Sequence, residues 1–314
     1  MSFVPKKQAF NSKINAVTLG TGDKAIVLGG QNVLPFYTFD APIENKPKIG
    51  VELTDAGMEL CTMPGMKAFY EGCATVADMA KRAETMPGAS FLCLHMEGAD
   101  PNGENKSVEE CVELAKSVAA VTDMPLVIMG CKNVDKDAEL FSKVAEALAG
   151  KNILVLSARE ENYKTVGASA GLAYNQKVGA ESAVDINLAK QLNTVMTQLG
   201  VSAQSIIMNA GSAAAGYGYE YVASTLDRIK AAALQQGDVQ LQMPIMTPVS
   251  PDTWGVKEAV MAEADMPEWG NQEERGVEME ITTAAACLAG GSDAVIMRHP
   301  AAIEAISKMI DALI

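Results

Sequence analysis

From residue 49 onward the chain repeats one rhythm, a short apolar run followed by a longer segment with helical spacing. The runs are Ile49–Leu53, Phe91–His95, Pro125–Met129, Ile153–Ser157, Val178–Glu181, Ile206–Met208, Met243–Met246 and Ala294–Met297. Several are continuously apolar instead of alternating, the pattern of a strand buried on both faces, and strands that alternate with helices pair in parallel. Eight such units close most simply into a (β/α)8 TIM barrel, which is the fold expected here. A doubly wound open sheet is the structural alternative.

The segments between the runs carry helix punctuation. Val108, Cys111, Val112, Ala115, Val118 and Ala119 fall on one face behind Ser107, an N-cap residue followed by Glu109 and Glu110. Phe141, Val144, Ala145 and Leu148 form a second such face before Gly150, and Ile186, Leu188, Ala189, Leu192, Met196 and Leu199 a third before Gly200. Val222, Leu226, Ile229 and Ala233 form another, and a last crossover helix is expected over Glu274–Ala289. The first crossover, 54–90, and the Pro/Trp-bearing span 248–271 fit the rhythm least well. Ahead of the barrel, Ala16–Leu19 and Ala25–Leu28 read as a β-hairpin whose connection holds Gly20 and Gly22, where a turn needs positive φ. Residues 1–48 are therefore an N-terminal hairpin and loop extension, capping the bottom or edge of a barrel over 49–314, the whole forming a single structural domain.

Charge and cysteine usage narrow the function. With 25 Lys and Arg against 39 Asp and Glu the net charge is −14, and no basic cluster interrupts it, which argues against nucleic acid and a basic membrane anchor. No apolar run of about 18 residues is present and residues 1–7 do not resemble a secretory leader, so a cytoplasmic protein is expected. Cys61, Cys73, Cys93, Cys111, Cys131 and Cys287 include no C-x-x-C pair, and His95 and His299 are the chain's two histidines. A zinc or iron-sulfur centre held by this chain alone is not expected, nor is a disulfide frame.

In a barrel of this kind the chemistry sits at the C-terminal strand ends. Lys132 could be a Schiff-base lysine or a solvated loop residue. Arg298 and His299 could form an anion clamp with a general base, or cap the last helix and pair with a carboxylate. Glu97 and Asp100 could bind a hard cation or lie on solvated surface. The loops after runs seven and eight begin Thr247-Pro248-Val249 and His299-Pro300, whose prolines lack the N–H groups that would cradle a phosphate. After run six, Asn209-Ala210-Gly211-Ser212 opens a loop of small side chains, either a platform for a large flat ligand or a flexible connection.

Four stretches together carry a family resemblance: Gly29-Gly30-Gln31-Asn32-Val33-Leu34-Pro35-Phe36-Tyr37 with Phe39-Asp40-Ala41-Pro42, Val184–Asn193, Gly216–Tyr221, and Leu241–Ile245. They resemble the small subunit of the corrinoid iron-sulfur protein, the delta subunit of the archaeal acetyl-CoA decarbonylase/synthase complex. The resemblance implies a barrel paired with a large subunit that carries a 4Fe-4S cluster and a corrinoid domain. A base-off corrinoid (cobalamin) would lie between that domain and the barrel mouth, its cobalt taking a methyl group from methyltetrahydrofolate through a methyltransferase and passing it to acetyl-CoA synthase. It also implies a methyl carrier of the reductive acetyl-CoA pathway with no active site of its own. On that reading the corrinoid-binding candidates are Asn209, Ala210, Gly211, Ser212, Thr247, Pro248, Arg298 and His299. His95-Met96-Glu97-Gly98 echoes the D-x-H-x-x-G cobalt-ligand motif of cobalamin methyltransferases, but Cys93 stands in the Asp position and a barrel strand is the wrong setting. The competing function is a free-standing barrel enzyme, such as a pterin-dependent methyltransferase or a lysine-dependent aldolase.

Overall fold

The computed structural model describes Val4 and residues 6–314. The reading of the first seven residues as lacking a leader falls partly on Met1–Phe3 and Pro5, which lie outside the described residues. A two-stranded antiparallel hairpin, β1 (Val17–Leu19) and β2 (Ile26–Leu28), precedes the sheet, and its connection uses Gly20 and Gly22 at φ of 75° and 65°. Eight parallel strands follow: β3 (Lys48–Thr54), β4 (Ala89–His95), β5 (Leu126–Met129), β6 (Leu154–Ala158), β7 (Lys177–Glu181), β8 (Ile206–Asn209), β9 (Met246–Pro248) and β10 (Ala294–Met297). Their order is β8-β7-β6-β5-β4-β3-β10-β9, and the ring closes through a parallel bridge of Met208 with Ile245, where Met208 N–H donates to Pro244 C=O at 2.8 Å.

Strand periodicity sorts side chains between two cores. Ile49, Val51 and Leu53 of β3 point outward to the helices, as do Ile206 and Met208 of β8 and Val295 and Met297 of β10. Phe91 and Cys93 of β4, Val127 and Met129 of β5, and Ala294 and Ile296 of β10 fill the barrel interior. Gly50 lies on the inward face of β3 because the Phe91 ring takes the space its side chain would need, an added Cβ falling 2.1 Å from that ring. The hairpin completes this interior core: Val17, Leu19 and Leu28 are buried in it. Asn152, just before β6, fastens the hairpin to the N-terminal end of the barrel by donating to the carbonyls of Thr18 and Gly20 at 2.9 Å each. Burying each such aliphatic side chain contributes about 1.5–3 kcal/mol.

The helix signals resolve as expected in several places. Ser107 caps Val108–Val121 in a reciprocal box with Glu110, and Ile186–Leu199 ends on Gly200 at φ 111°. The last crossover helix runs Gln272–Gly290. The first crossover contains two short helices, Pro64–Phe69 and Val76–Ala83. No helix among the described residues is long and apolar enough to cross a membrane. One strand corrects the sequence reading: the seventh run, expected at Met243–Met246, becomes strand only at Met246–Pro248. Met243 and Ile245 are buried on the helix side, and Ile245 N–H is held by the Asp293 carboxylate at 2.8 Å.

Candidate functional site

At the C-terminal strand ends a cleft of about 240 Å³ opens between β5 and β9. Met129, Leu156, Val184 and Pro248 give it apolar walls, and Ser157, Asn209, Ser212, Glu181 and Asp252 give it polar ones. Asn209, the inward-facing end of β8, donates to Ser157 Oγ at 3.1 Å and accepts from Gly211 N–H at 3.1 Å, so its amide is fixed on both sides. Gly211 turns the chain at φ 90°, and a Cβ there would meet Val184 Cγ2 at 2.8 Å. Arg159 bridges the rim, donating to Glu181 at 2.8 Å and to the Lys132 carbonyl at 3.0 Å. Burial pushes the carboxyls of Asp252 and Asp137 above their ordinary range, opposed at Asp252 by the charge of Lys132 and at Asp137 by the Cys131 N–H.

The other half of the mouth is built on one carboxylate. Glu52 projects from the inward face of β3, fully buried, and accepts from His95 Nδ1 and from Arg298 Nε at 2.8 Å each. Burial alone would raise its pKa; the Arg298 charge and the hydrogen bond from His95 outweigh it and hold the carboxyl well below the usual range. Burial, with the charge of the same carboxylate, pushes the Cys93 thiol well up. Behind the triad stands Glu280, also fully buried, accepting from the backbone N–H of Arg298 at 2.6 Å and of His299 at 3.1 Å. Burial raises Glu280 to about 7 against those two hydrogen bonds.

Unpartnered polar atoms gather at the same end of the barrel. Thr54, Ser182, Ser212, Ser250 and Thr253 all follow or end a strand, and each has a buried hydroxyl with no hydrogen-bond partner among the described residues. Several charged groups there are paired, Asp55 with Lys106, Glu52 with Arg298, Glu181 with Arg159, and Glu273 with His299, while Lys132 and Asp252 line the cleft outside these pairs. The cleft itself presents the neutral groups of Ser157, Asn209 and Ser212 beside Lys132 and Asp252.

The family described as the CO dehydrogenase/acetyl-CoA synthase delta subunit matches residues 16–309. The chain belongs to this family. Delta-subunit relatives include "Acetyl-CoA decarbonylase/synthase complex subunit delta" of Archaeoglobus fulgidus, 30% identical over 99% of this chain and 71% of that protein. The counterpart from Methanothermobacter thermautotrophicus is 32% identical over 98% of this chain and 77% of its own. Among solved structures, dihydropteroate synthase from Vibrio fischeri superposes with a TM-score of 0.59 at 12% identity, covering 95% of this chain and 98% of that one. The Yersinia pestis enzyme with a pterine-sulfa conjugate gives 0.55 at 11% identity, covering 85% and 93%. At such identities these two report the barrel fold alone.

Within this delta-subunit barrel the expected residues separate into groups. Asn209, Gly211, Ser212 and Pro248 line the cleft together, as does the exposed Lys132. Ala210 is fully buried beside them and contributes its carbonyl to Val184 N–H. Thr247 is not brought to the mouth. Thr247 is the middle residue of β9 and, next to the inward Met246, faces away from the interior, its hydroxyl bonded to Ser292 at 2.7 Å. Arg298 reaches the mouth on the opposite side, in the Glu52 triad. His299 does not: it caps the helix Pro300–Leu313 by accepting from Ala301 N–H at 3.2 Å, pairs with Glu273 at 3.0 Å and stacks on Trp254. Burial lowers its pKa, with Glu273 opposing. Glu52, Ser157, Glu181 and Asp252 were not singled out by sequence. The available signal was a lone glutamate inside the apolar run Ile49–Leu53.

Proposed function

We propose that this chain is the barrel subunit of a corrinoid-dependent methyl carrier. It would work beside a large subunit bearing the 4Fe-4S cluster and the corrinoid domain, between a methyltetrahydrofolate methyltransferase and acetyl-CoA synthase. The observation that carries this reading is the chemistry of the mouth: the neutral groups of Ser157, Asn209 and Ser212 line the cleft, hydroxyls of Thr54, Ser182, Ser212, Ser250 and Thr253 have no partner among the described residues, and Glu52 and Glu181 are already paired. A ligand suited to such a surface is held by many neutral hydrogen bonds and needs no acid or base from the protein, as an amide-rimmed macrocycle does. The names borne by the curated relatives, subunits delta of acetyl-CoA decarbonylase/synthase complexes, support the same assignment.

The cleft of about 240 Å³ falls below the ~300–1,000 Å³ typical of pockets that engulf a small-molecule ligand, so a large planar ring would lie across the mouth. Asn209, Ser212 and the Gly211 backbone would meet its edge on one side and Arg298 on the other. A corrinoid bound there would supply a nucleophilic cobalt for methyl transfer. The barrel's part is to position that group and keep water from one of its faces.

Co-production with the cluster-bearing subunit tests this. The expected result is a stable complex with a corrinoid absorption spectrum. A chain that turns over a substrate as an isolated monomer, or a large subunit that keeps corrinoid equally well alone, would refute it.

A further inference from the structure

Two functional groups at the mouth hang on one buried carboxylate and leave their outer ends free. Glu52 gives one oxygen to His95 Nδ1 and the other to Arg298 Nε, each at 2.8 Å. An ionised carboxylate only accepts, so Nδ1 carries the ring proton, and in the neutral imidazole Nε2 is left as an acceptor. No protein partner for Nε2, or for the two terminal nitrogens of Arg298, is found among the described residues. The side chains are 8% and 14% exposed, and none of these three nitrogens is sealed from solvent. The exposed Glu97 acts on Arg298 through its charge but makes no ion pair with it. His95 ends β4, Glu52 lies in β3 and Arg298 follows β10, three neighbouring strands, so the two free ends share one stretch of the mouth.

The pair therefore presents a planar donor fork beside a ring-nitrogen acceptor, with the arginine's charge already balanced. Against the neutral ring, a carboxylate would satisfy the fork but has no hydrogen to give Nε2. An ammonium would satisfy Nε2 but is repelled by the guanidinium. A primary carboxamide satisfies both, its oxygen accepting from Arg298 and its N–H donating to His95 Nε2. We infer that Arg298 and His95, oriented by Glu52, form a recognition site for a primary carboxamide. That the amide belongs to the rim of a corrinoid rests on the function proposed above; the amide chemistry does not. Glu52 is a positioning residue here, fixing the tautomer of one partner and the plane of the other.

With two histidines in the chain, ¹⁵N imidazole spectra of the full-length protein are assigned by one substitution, His299→Gln. Free protein at pH 8 should show His95 protonated on Nδ1 and His299 on Nε2. Titration with propionamide should move His95 Nε2 in the direction of an acceptor taking up a hydrogen bond, leave His299 unmoved, and be matched by neither propionate nor propylamine. In the assembled complex, His95→Gln and Arg298→Lys should each weaken retention of cobinamide on the order of tenfold, the loss expected for one hydrogen bond to a charged group. Cobinamide with rim amides hydrolysed to acids should then bind the wild type less tightly. An unmoved His95 under propionamide, the reverse tautomer, or equal response to propionate overturns the amide site. If the complex retains cobinamide while His95 stays silent, the amide site falls and the carrier function stands. If it retains no corrinoid while His95 responds, the carrier function falls and the amide site stands.

Discussion

Replacing Glu52 with glutamine changes one oxygen for an NH2 and removes the charge that the interior is organised around. The amide oxygen can still accept from His95 Nδ1–H, but its NH2 then confronts the Arg298 Nε–H, donor against donor. Arg298, whose side chain is 14% exposed, is left inside the barrel without its counter-charge. Removing one partner of a buried ion pair costs about 3–5 kcal/mol; the water that reaches Arg298 reduces this to an expected ~2–4 kcal/mol at pH 7. Against a total stability of about 5–15 kcal/mol that is a large shift, visible in urea unfolding followed by circular dichroism as a lower midpoint at unchanged slope. The pH dependence provides a second check. The Glu52 pKa is depressed in the folded protein below its ordinary 4.5, so its stabilisation is complete above that value and lost as pH falls beneath it. Wild type and Glu52→Gln should therefore converge on acidification. A difference under 1 kcal/mol at pH 7, or one as large at pH 3.5 as at pH 7, would show that the triad is solvated and carries no such role.

Glu280 should act with the opposite sign: its pKa is raised by burial from 4.5 to about 7, so the folded state is favoured below pH 4.5 and loses ~3 kcal/mol as pH rises through 7. Unfolding free energies from pH 5 to 8 should fall accordingly, with the slope flattened in Glu280→Gln. Gly50→Ala, whose Cβ would fall 2.1 Å from the Phe91 ring, should cost about 1–3 kcal/mol by overpacking, and Phe91→Leu in the same chain should recover part of the loss in urea midpoints. Gly211→Ala, at φ 90° and 2.8 Å from Val184, should cost about 1–2 kcal/mol from the backbone alone and loosen corrinoid retention by the assembled complex. Unchanged cobalt content would remove that loop from the binding surface.

The barrel was legible in the sequence because parallel strands buried on both faces are written as continuous apolar runs, and because Ser107 and Gly200 mark helix ends by local chemistry that needs no tertiary context. Local pattern failed where apolar residues are buried without being strand. Met243 packs against helices, Ile245 makes the single bridge that closes the ring, and the ladder with β10 begins at Met246, whose inward side chain leaves Thr247 facing away from the interior. The cleft side of the site was half visible, since Asn209, Gly211, Ser212 and Pro248 follow directly from knowing where strands end. The triad was not, because its members are 43 and 246 residues apart and nothing local distinguishes Glu52 from a surface glutamate except its apolar neighbours. His299 shows the converse: a residue type rich in chemical possibility, next to an arginine, employed to start a helix.

The hairpin at the base of the barrel has a consequence for traffic. With Val17, Leu19 and Leu28 packed beneath a filled interior and Asn152 fastening the turn, the barrel is covered at its lower end. Anything resting on its rim has one approach, from above. A donor and an acceptor that both serve a group held there must take turns, and each in excess should shut the other out, so throughput would peak at a balanced ratio of the two and fall on either side of it.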